Sequence, residues 1–370
     1  MGKSLNEIAQ QLKDDNKKVR LIYAFNGNGK TRLSRKFRLL VSPKVFGDTE
    51  LEESEVVGKE ILYYNAFTED LFYWDNDLEN DAEPKLLIHP NSFTRWIFEE
   101  QGQDRNIITN FQCYSDEKLT PNFNEEFTEV TFSYERGNNE RSNYIKISKG
   151  EESSFVWCVF YSLLEQAINV LNVAEPTDRE TNQFDQLEYV FIDDPVTSLD
   201  DNHLIQLAVD LAHLIKISDS GLKFVITSHN PIFYNALHNE VNKKTCYMLE
   251  RQEDGTFKFD EKSGDSNKSF SYHLHLKKTI EEAIENNQVQ KYHFTLLRNL
   301  YEKTASFLGF PYWSDLLPDN KQTYYNRIIQ FTSHSTLANE SVAEPSPQEK
   351  QTVKLLLEHL TSNYSFWKEA

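Results

Sequence analysis

The stretch from Leu187 to Asn202, LEYVFIDDPVTSLDDN, most constrains how this chain can fold. An apolar run from Tyr189 to Ile192 ends in two adjacent acids, Asp193 and Asp194. A continuous apolar run of this length is typical of a parallel strand that is buried on both faces. Such a strand delivers carboxylates to the carboxyl edge of its sheet, where a phosphate-bound Mg²⁺ can be held. The stretch therefore predicts the acidic strand of a nucleotide-binding α/β protein.

A glycine-rich loop near the N-terminus predicts the phosphate-binding partner of that strand. The predicted strand from Val19 to Ala24 runs into FNGNGKT. The backbone N–H groups of such a loop face phosphates, its lysine reaches the β and γ phosphates, and its hydroxyl binds Mg²⁺. Ala24 stands where the pattern has its first glycine, and the other interpretation is a polar turn before an amphipathic helix. The predicted nucleotide contacts are Asn26, Gly27, Asn28, Gly29, Lys30 and Thr31, with Mg²⁺ on Thr31 and Asp193.

Three shorter motifs follow, and each resembles a motif of the ABC-type ATPases. The sequence KISKGE precedes a predicted helix and is similar to their LSGGE signature, with Lys149 in place of a glycine. The tripeptide SLD at 198–200 matches their D-loop, and His229 follows a predicted strand where they carry a γ-phosphate histidine. An ordinary helix cap made by Ser148 and Glu151 is the alternative for the signature. The predicted nucleotide contacts here are Ser148, Lys149, Gly150 and Asp200, with hydrolytic roles for Asp194 and His229.

The joint order of these motifs predicts the fold class. We expect an α/β protein, an ABC-type P-loop ATPase head with a β-rich lobe. In such heads the signature of one subunit completes the nucleotide site of another, so the resemblance implies a homodimer or a higher homo-oligomer. Those heads usually have Glu as general base where this chain has the shorter Asp194, which predicts slow hydrolysis. No sustained heptads occur, which disfavours a head with a long inserted coiled coil, as in SMC or Rad50 proteins.

Composition limits the partners and the compartment. The 370 residues carry a formal charge of −19, which argues against broad non-specific binding to DNA or anionic membranes. Basic residues nevertheless cluster from Lys17 to Arg38 and could form a local RNA surface. No stretch reaches the roughly 18 apolar residues of a membrane span, and the first residues lack the apolar core of a signal peptide. Three widely spaced cysteines suit a reducing compartment. We expect a cytoplasmic protein with no membrane partner.

The ATPase motifs end near residue 250, and mostly helical patterns follow. We therefore predict an ATPase domain over residues 1–250 and a mostly helical second domain over 251–370. Arg298 and Glu302 share one helix face in the second domain, and His334 lies in a polar turn. A surface ion pair and a solvated loop are the alternatives. Together, Arg, Glu and His suffice for metal-independent RNA cleavage, with either Glu302 or His334 as the base and the arginine on the phosphorane.

Nearly the whole chain resembles the PrrC-type anticodon nucleases of bacteria. The matching stretches include LIYAFNGNGKTRLSR, ILYYNAFTEDLFYWDND, YVFIDDPVTSLDDNHLI, GDSNKSFSYHLHLK and YYNRIIQFTSHSTL. The resemblance implies an ABC-type head fused to a ribonuclease that cuts lysine tRNA in the anticodon loop, 5′ to the wobble base. It places the family's catalytic Arg, Glu and His on Arg298, Glu302 and His334. It places substrate recognition on Asp265, Ser266, Asn267 and Lys268.

The same resemblance implies a mode of regulation. Such a nuclease is held silent by a type I DNA restriction-modification complex and is released during phage infection. The head binds ATP or GTP with Mg²⁺, dTTP acts as an effector, and the nuclease site holds no metal. The alternative is an ABC-type ATPase subunit of a DNA-repair or defence complex whose C-terminal helices bind a separate nuclease.

Overall fold

The computed structural model describes residues 2–43, 57–58, 60–65, 72–76, 82–89, 97–98, 102–137, 140–195, 199, 201–252, 254–262, 272–332 and 345–364. The chain divides into two compact units, Met1–Ser266 and Asn267–Ala370. The first unit combines helices with two β-sheets, and the described residues of the second unit are mostly helical.

The strands of the first unit form two sheets. They are β1 (Val19–Tyr23), β2 (Val57–Gly58), β3 (Ile61–Tyr64), β4 (Phe72–Asp75), β5 (Lys85–Ile88), β6 (Leu119–Phe123), β7 (Glu129–Gly137), β8 (Glu140–Ser142), β9 (Tyr189–Asp193), β10 (Lys223–Ser228), β11 (Lys244–Arg251) and β12 (Phe257–Lys262). The larger sheet has the order β12-β11-β1-β10-β9-β3-β2 and is parallel except at its two edge strands. The smaller, antiparallel sheet has the order β4-β5-β7-β6, with β8 paired to β7. The smaller sheet is the predicted β-rich lobe.

The central parallel strands are buried because they are apolar on both faces. Every residue of β1 and β9 is buried, as expected for strands that are covered on both sides of a sheet. β10 pairs with both β1 and β9, so the carboxyl ends of three parallel strands lie side by side. The glycine-rich loop, the two acids and His229 follow these three ends. The predicted α/β ATPase head is therefore confirmed.

Six helices described in the first unit complete that head. They are α1 (Leu5–Asp14), α2 (Lys30–Val41), α3 (Asp104–Tyr114), α4 (Lys149–Leu171), α5 (Asp201–Ile217) and α6 (Pro231–Glu240). By length and composition, α4 alone among the described helices could cross a membrane, and 83% of its most apolar window is buried inside the protein. Its Trp157 and Phe160 contact Tyr64 of β3. We therefore interpret α4 as a core helix of this unit.

Helices with their own apolar core build the second unit. They are α7 (Tyr272–Glu285), α8 (Lys291–Leu308), α9 (Lys321–Thr332) and α10 (Pro347–Asn363), with a short 3₁₀ turn at Trp313–Leu316. Leu297 and Leu300 of α8 pack in one buried cluster with Leu356 and Leu360 of α10. The mostly helical class predicted for the second domain is confirmed.

Two details differ from the sequence predictions. β12 belongs to the first sheet because it pairs antiparallel with β11, and the first unit extends to Ser266. The sequence RGNN at 136–139 also predicts a hairpin that pairs Thr128–Tyr134 with Tyr144–Ile147. Its second strand is wrong, since β7 pairs instead with β8, which ends at Ser142. Tyr144 has a φ of 55°, which no extended strand allows.

Candidate functional site

The loop between β1 and α2 has the backbone conformation of a phosphate-binding turn. Gly27 and Gly29 have φ angles of 82° and 89°, a region that residues with a Cβ rarely adopt. Gly29 is also the N-cap of α2. The first N–H groups of a helix have no intrahelical acceptor. Together with the positive end of the helix dipole they suit an anion such as a phosphate.

The Lys30 side chain lies across this loop and is 7% exposed. Its Nζ donates to the carbonyl of Ala24 at 3.1 Å and to Oδ1 of Asn26 at 3.2 Å. It also lies 3.3 Å from Oδ2 of Asp194. A lysine ammonium can donate three hydrogen bonds, and these contacts hold it at the mouth of the loop. The structure thus brings the predicted phosphate-binding lysine next to an acid of β9's carboxyl end.

Asp193 ends β9 inside the protein and is 1% exposed. Burial raises the pKa of its carboxyl group, although hydrogen bonds from the hydroxyls of Thr227 and Thr31 oppose that shift. The Thr227 hydroxyl donates to Oδ1 of Asp193 at 2.6 Å. Mg²⁺ binds through hard oxygen ligands and usually keeps several waters. Because the Thr31 hydroxyl and the Asp193 carboxylate lie within hydrogen-bond reach of each other, these two residues fit the predicted Mg²⁺ site.

Asp194 and His229 form a tight pair at the ends of neighbouring strands. Nδ1 of His229 lies 2.6 Å from Oδ2 of Asp194, and the His229 backbone N–H donates to Oδ1 at 3.2 Å. Burial raises the pKa of Asp194, but the His229 hydrogen bond and the positive charge of Lys30 outweigh burial, and the pKa is lowered. Asp194 has a φ of 54°, which is strained for a residue with a side chain. Its carboxylate is therefore ionised and fixed between a lysine and a histidine.

Four polar residues outside the predicted nucleotide contacts support this cluster. Tyr63 of β3 shares a 2.7 Å hydrogen bond with the Ser34 hydroxyl, which donates to Oδ2 of Asp193 at 3.4 Å. Asn65 donates to the Tyr63 hydroxyl at 3.0 Å. The Tyr23 hydroxyl donates to the His229 carbonyl at 2.8 Å. The sequence feature that could have indicated these contacts is a tyrosine within an otherwise apolar buried strand. A buried phenol requires a hydrogen-bond partner.

The signature-like turn takes the geometry of a helix cap. Ser148 is the N-cap of α4, and its hydroxyl accepts from the Glu151 N–H at 3.3 Å. The Glu151 carboxylate accepts in return from the Ser148 N–H at 2.7 Å. Lys149 is an exposed residue that pairs with Glu152 at 2.8 Å. The capping-box alternative is therefore observed, and with Gly150 in the first turn the same helix end still presents N–H groups to solvent.

Arg298 and Glu302 form an ion pair on α8 of the second unit. Nε of Arg298 lies 2.7 Å from Oε1 of Glu302, and both side chains are about one third exposed. The Arg298 guanidinium carbon lies 6.0 Å from the ring centroid of Trp313. Trp313 in turn stacks on Tyr325 with centroids 5.1 Å apart. The guanidinium is thus held by a carboxylate and an aromatic face. The sequence predictions missed Trp313 and Tyr325, although tryptophans are scarce in this chain.

The remaining predicted site residues lie outside the described residues. They are Asp200, Asp265, Ser266, Asn267, Lys268 and His334. Their roles in nucleotide contact, substrate recognition and RNA cleavage stay predictions.

Comparison with known proteins gives one full-length relative. An anticodon nuclease of Escherichia coli is 65% identical over 391 aligned positions, which cover 100% of this chain and 99% of that protein. No family model matches the chain. Among solved structures, the Thermotoga maritima SMC head domain is 10% identical, with a TM-score of 0.34 over 67% of this chain and 91% of that one. An Smc head bound to the C-winged helix domain of ScpA is 12% identical, with a TM-score of 0.36 over 68% of this chain and 92% of that one.

Proposed function

Because the chain belongs to the anticodon nuclease family, we propose that it cleaves tRNA in the anticodon loop under the control of a bound nucleotide. The proposed substrate is lysine tRNA, which is cut 5′ to the wobble base to leave 2′,3′-cyclic phosphate and 5′-OH ends. The proposed setting is the cytoplasm, where the protein acts as an effector of defence against phage. The observation that carries the proposal is the 65% identity that extends through both units of the chain.

The proposed nuclease chemistry uses one acid, one base and one cation. Either Glu302 or His334 removes the proton from the ribose 2′-OH, and the 2′-oxygen attacks the adjacent phosphorus. The bond from phosphorus to the 5′-oxygen breaks, and the other residue protonates that leaving oxygen. Arg298 binds the phosphorane oxygens, which carry the developing charge. These groups complete the reaction without a metal. The described geometry supports this role for Arg298, because Glu302 and Trp313 hold its guanidinium at a partly exposed position.

The substrate-recognition segment of the proposal is Asp265, Ser266, Asn267 and Lys268. A carboxylate such as that of Asp265 can accept a hydrogen bond from a modified anticodon base. RNA-binding proteins read unpaired loop bases at their edges, which agrees with a target in the anticodon loop.

The proposed gate is the ATPase head with ATP or GTP. The N–H groups from Asn26 to Thr31 bind the phosphates, and Lys30 neutralises their charge. Mg²⁺, held by Thr31 and Asp193, would stabilise negative charge on the phosphate oxygens. Asp194, ionised and paired with His229, orients and deprotonates the attacking water. We propose that Ser148, Lys149, Gly150 and Asp200 of a second copy complete the site in a homodimer.

The regulatory part of the proposal concerns partners. A type I DNA restriction-modification complex holds the nuclease silent, and dTTP binds the head as an effector during phage infection. The restriction-modification partner and the dTTP effector are both inferred from the resemblance to the anticodon nuclease family. The lowered pKa of Asp194 and the backbone conformation of the phosphate loop support a nucleotide-binding head.

Cleavage is tested by incubating the purified protein with bulk tRNA, with ATP or GTP and Mg²⁺ in one arm and with EDTA in another. We expect a single nick in the anticodon loop of lysine tRNA in the nucleotide arm. The downstream fragment should have a 5′-OH that a kinase phosphorylates directly, and the 3′ end of the upstream fragment should resist periodate until the cyclic phosphate is opened and removed. After activation, the addition of EDTA should leave the cleavage step intact. Nucleotide hydrolysis with intact tRNA would instead favour the ATPase subunit of a complex with a separate nuclease.

The role of Arg298 is tested in the same assay with Arg298→Ala and Arg298→Lys. Lysine lacks the planar fork that binds two phosphate oxygens and stacks on an indole, so we expect both variants to cleave at least about 100-fold more slowly. Lys303→Ala changes an exposed cation on the same helix and should cleave as the wild type does. Equal rates for wild type and Arg298→Ala would remove Arg298 from the mechanism.

A further inference from the structure

The hairpin formed by β11 and β12 contacts the phosphate loop directly. The backbone N–H of Arg251, the last residue of β11, donates to Oδ1 of Asn28 at 3.2 Å. Phe257, the first residue of β12, is 3% exposed and lies against Gly29. Both ends of the hairpin turn therefore touch residues whose backbone is predicted to bind phosphate.

The ring of Phe257 leaves no room for a side chain at Gly29. A Cβ at Gly29 would lie 2.9 Å from Cε1 of Phe257 and 3.3 Å from its Cζ. Real Cβ atoms essentially never approach a neighbour within 3.0 Å. The phenyl ring thus occupies the space beside the glycine backbone, at the residue that caps α2. A residue with a Cβ at this position would require the ring or the loop to shift.

The ring itself has little freedom to move. The backbone N–H and carbonyl of Phe257 each form a 2.8 Å hydrogen bond with Lys3, in an isolated antiparallel bridge. The guanidinium of Arg32 lies 5.9 Å from the ring centroid. Phe257 is also part of the buried core that joins α1, α2 and the large sheet. A residue held from this many sides can act as a fixed stop for the loop.

We propose that Phe257 is a positioning residue that holds the phosphate loop in the conformation that binds a nucleoside triphosphate. It acts through Gly29 and makes no contact with the nucleotide itself. Because the loop binds phosphates and not the base, losing this support weakens triphosphate binding more than monophosphate binding. This inference rests on the proposed nucleotide-binding function of the head.

A matched pair of variants tests the proposal. Phe257→Leu removes the flat ring and keeps an apolar side chain of similar reach. Phe259→Leu makes the same change two residues along β12, on the same face, where the ring stacks on Tyr247 with centroids 4.3 Å apart. Both residues belong to one buried cluster, so both variants should lower the melting temperature by a similar amount. Only Phe257 contacts Gly29.

The measurement is the Kd of the purified protein for ATP and for AMP, by calorimetry in Mg²⁺. The temperature is well below the melting temperatures of both variants. We expect Phe257→Leu to raise the Kd for ATP about fivefold or more, with the Kd for AMP changed less than twofold and Phe259→Leu close to wild type. Phe257→Ala should raise the Kd for ATP more than Phe257→Leu does. In the tRNA assay, the ATP concentration for half-maximal cleavage should rise by the same factor, while the rate at saturation is retained.

Two results would overturn the proposal. Wild-type ATP affinity in Phe257→Leu would show that the ring has only a packing role. An equal loss of affinity in Phe259→Leu would show that general destabilisation is the cause. Failure of the wild type to bind any triphosphate is a different result, because it contradicts the proposed function of the head before any variant is compared.

Discussion

Asp193 and Asp194 are adjacent acids with opposite electrostatic environments. Asp193 is buried, with hydroxyl donors and no cation as its ion-pair partner among the described contacts, and burial raises its pKa. For Asp194, the hydrogen bond from His229 and the charge of Lys30 overcome burial and lower the pKa. Relative to the unfolded chain, the native state therefore binds a proton more readily at Asp193 and less readily at Asp194. The sequence predicted both side chains at the site, but not this difference, which depends on contacts from β10 and α2.

The first prediction concerns Asp193→Asn. A carboxyl group whose pKa is raised in the native state destabilises that state at neutral pH. This destabilisation disappears as the pH falls and the group becomes protonated. Asparagine has no charge and keeps an oxygen acceptor for Thr227, so we expect the free energy of unfolding at pH 7 to rise by about 1 kcal/mol. Mg²⁺-dependent hydrolysis should be lost. Urea unfolding and phosphate release measure the two effects.

The control for that variant is Asp178→Asn, which removes the same charge at an exposed position. It should change neither the unfolding free energy nor hydrolysis. A lower unfolding free energy in Asp193→Asn would contradict the assigned cost of burying this carboxylate.

Helix caps can be recognised from the sequence, whereas a positive φ in a predicted strand was not. Ser4 with Glu7, Ser148 with Glu151 and Ser346 with Glu349 all form capping boxes. Such pairs are readable in sequence, and the pair of Ser148 and Glu151 was predicted as the alternative for the signature. The strand expected at Tyr144–Ile147 did not form because a positive φ at its first residue ends the extended backbone. A positive φ is uncommon for a tyrosine, and the sequence did not indicate it.

The second prediction arises from the cap of α8. The His293 ring is buried and accepts a hydrogen bond from the Gln290 N–H at Nδ1, 2.9 Å away. An imidazole nitrogen accepts only when it carries no proton, and burial lowers the His293 pKa. A lowered native pKa means that the unfolded chain binds more protons. The contribution of this cap to the free energy of unfolding is therefore fully present above about pH 6.5, which is the pKa of histidine in an unfolded chain. It is lost as the pH falls toward the native pKa of His293.

We expect His293→Gln to remove this pH dependence, since glutamine accepts the same cap hydrogen bond without titrating in this range. Urea unfolding of the full chain at pH 7.5 and pH 5.5, followed by tryptophan fluorescence, measures the change. His359→Gln removes a histidine from α10 of the same unit and serves as the control. If the unfolding free energy of His293→Gln falls between pH 7.5 and pH 5.5 as much as that of the wild type, the cap is not the source of this pH dependence.

At the scale of the whole molecule, two units carry two different kinds of site. The first has its buried core around the parallel sheet, and the second has a separate core among four helices. Sequence motifs indicated the residues that the structure brings together at the ends of β1, β9 and β10, because a phosphate loop and an acidic strand follow from local backbone geometry. The proposed nuclease site was less accessible to sequence reasoning, because Arg298 and Glu302 look like an ordinary helix ion pair until Trp313 and Tyr325 are placed beside them.

Because the proposed nucleotide site and the proposed nuclease site belong to different units, Lys30→Ala and Arg298→Ala should impair different steps. Lys30→Ala removes the ammonium that contacts Asn26 and Asp194, so triphosphate affinity should fall at least about tenfold, and cleavage should no longer respond to nucleotide. Arg298→Ala should bind ATP as the wild type does and leave tRNA uncut. Lys36→Ala, an exposed change on the same helix as Lys30, should behave as the wild type in both assays. If nucleotide still activates cleavage in Lys30→Ala, the phosphate loop of the first unit does not control the nuclease of the second, and the gate must lie elsewhere in the chain.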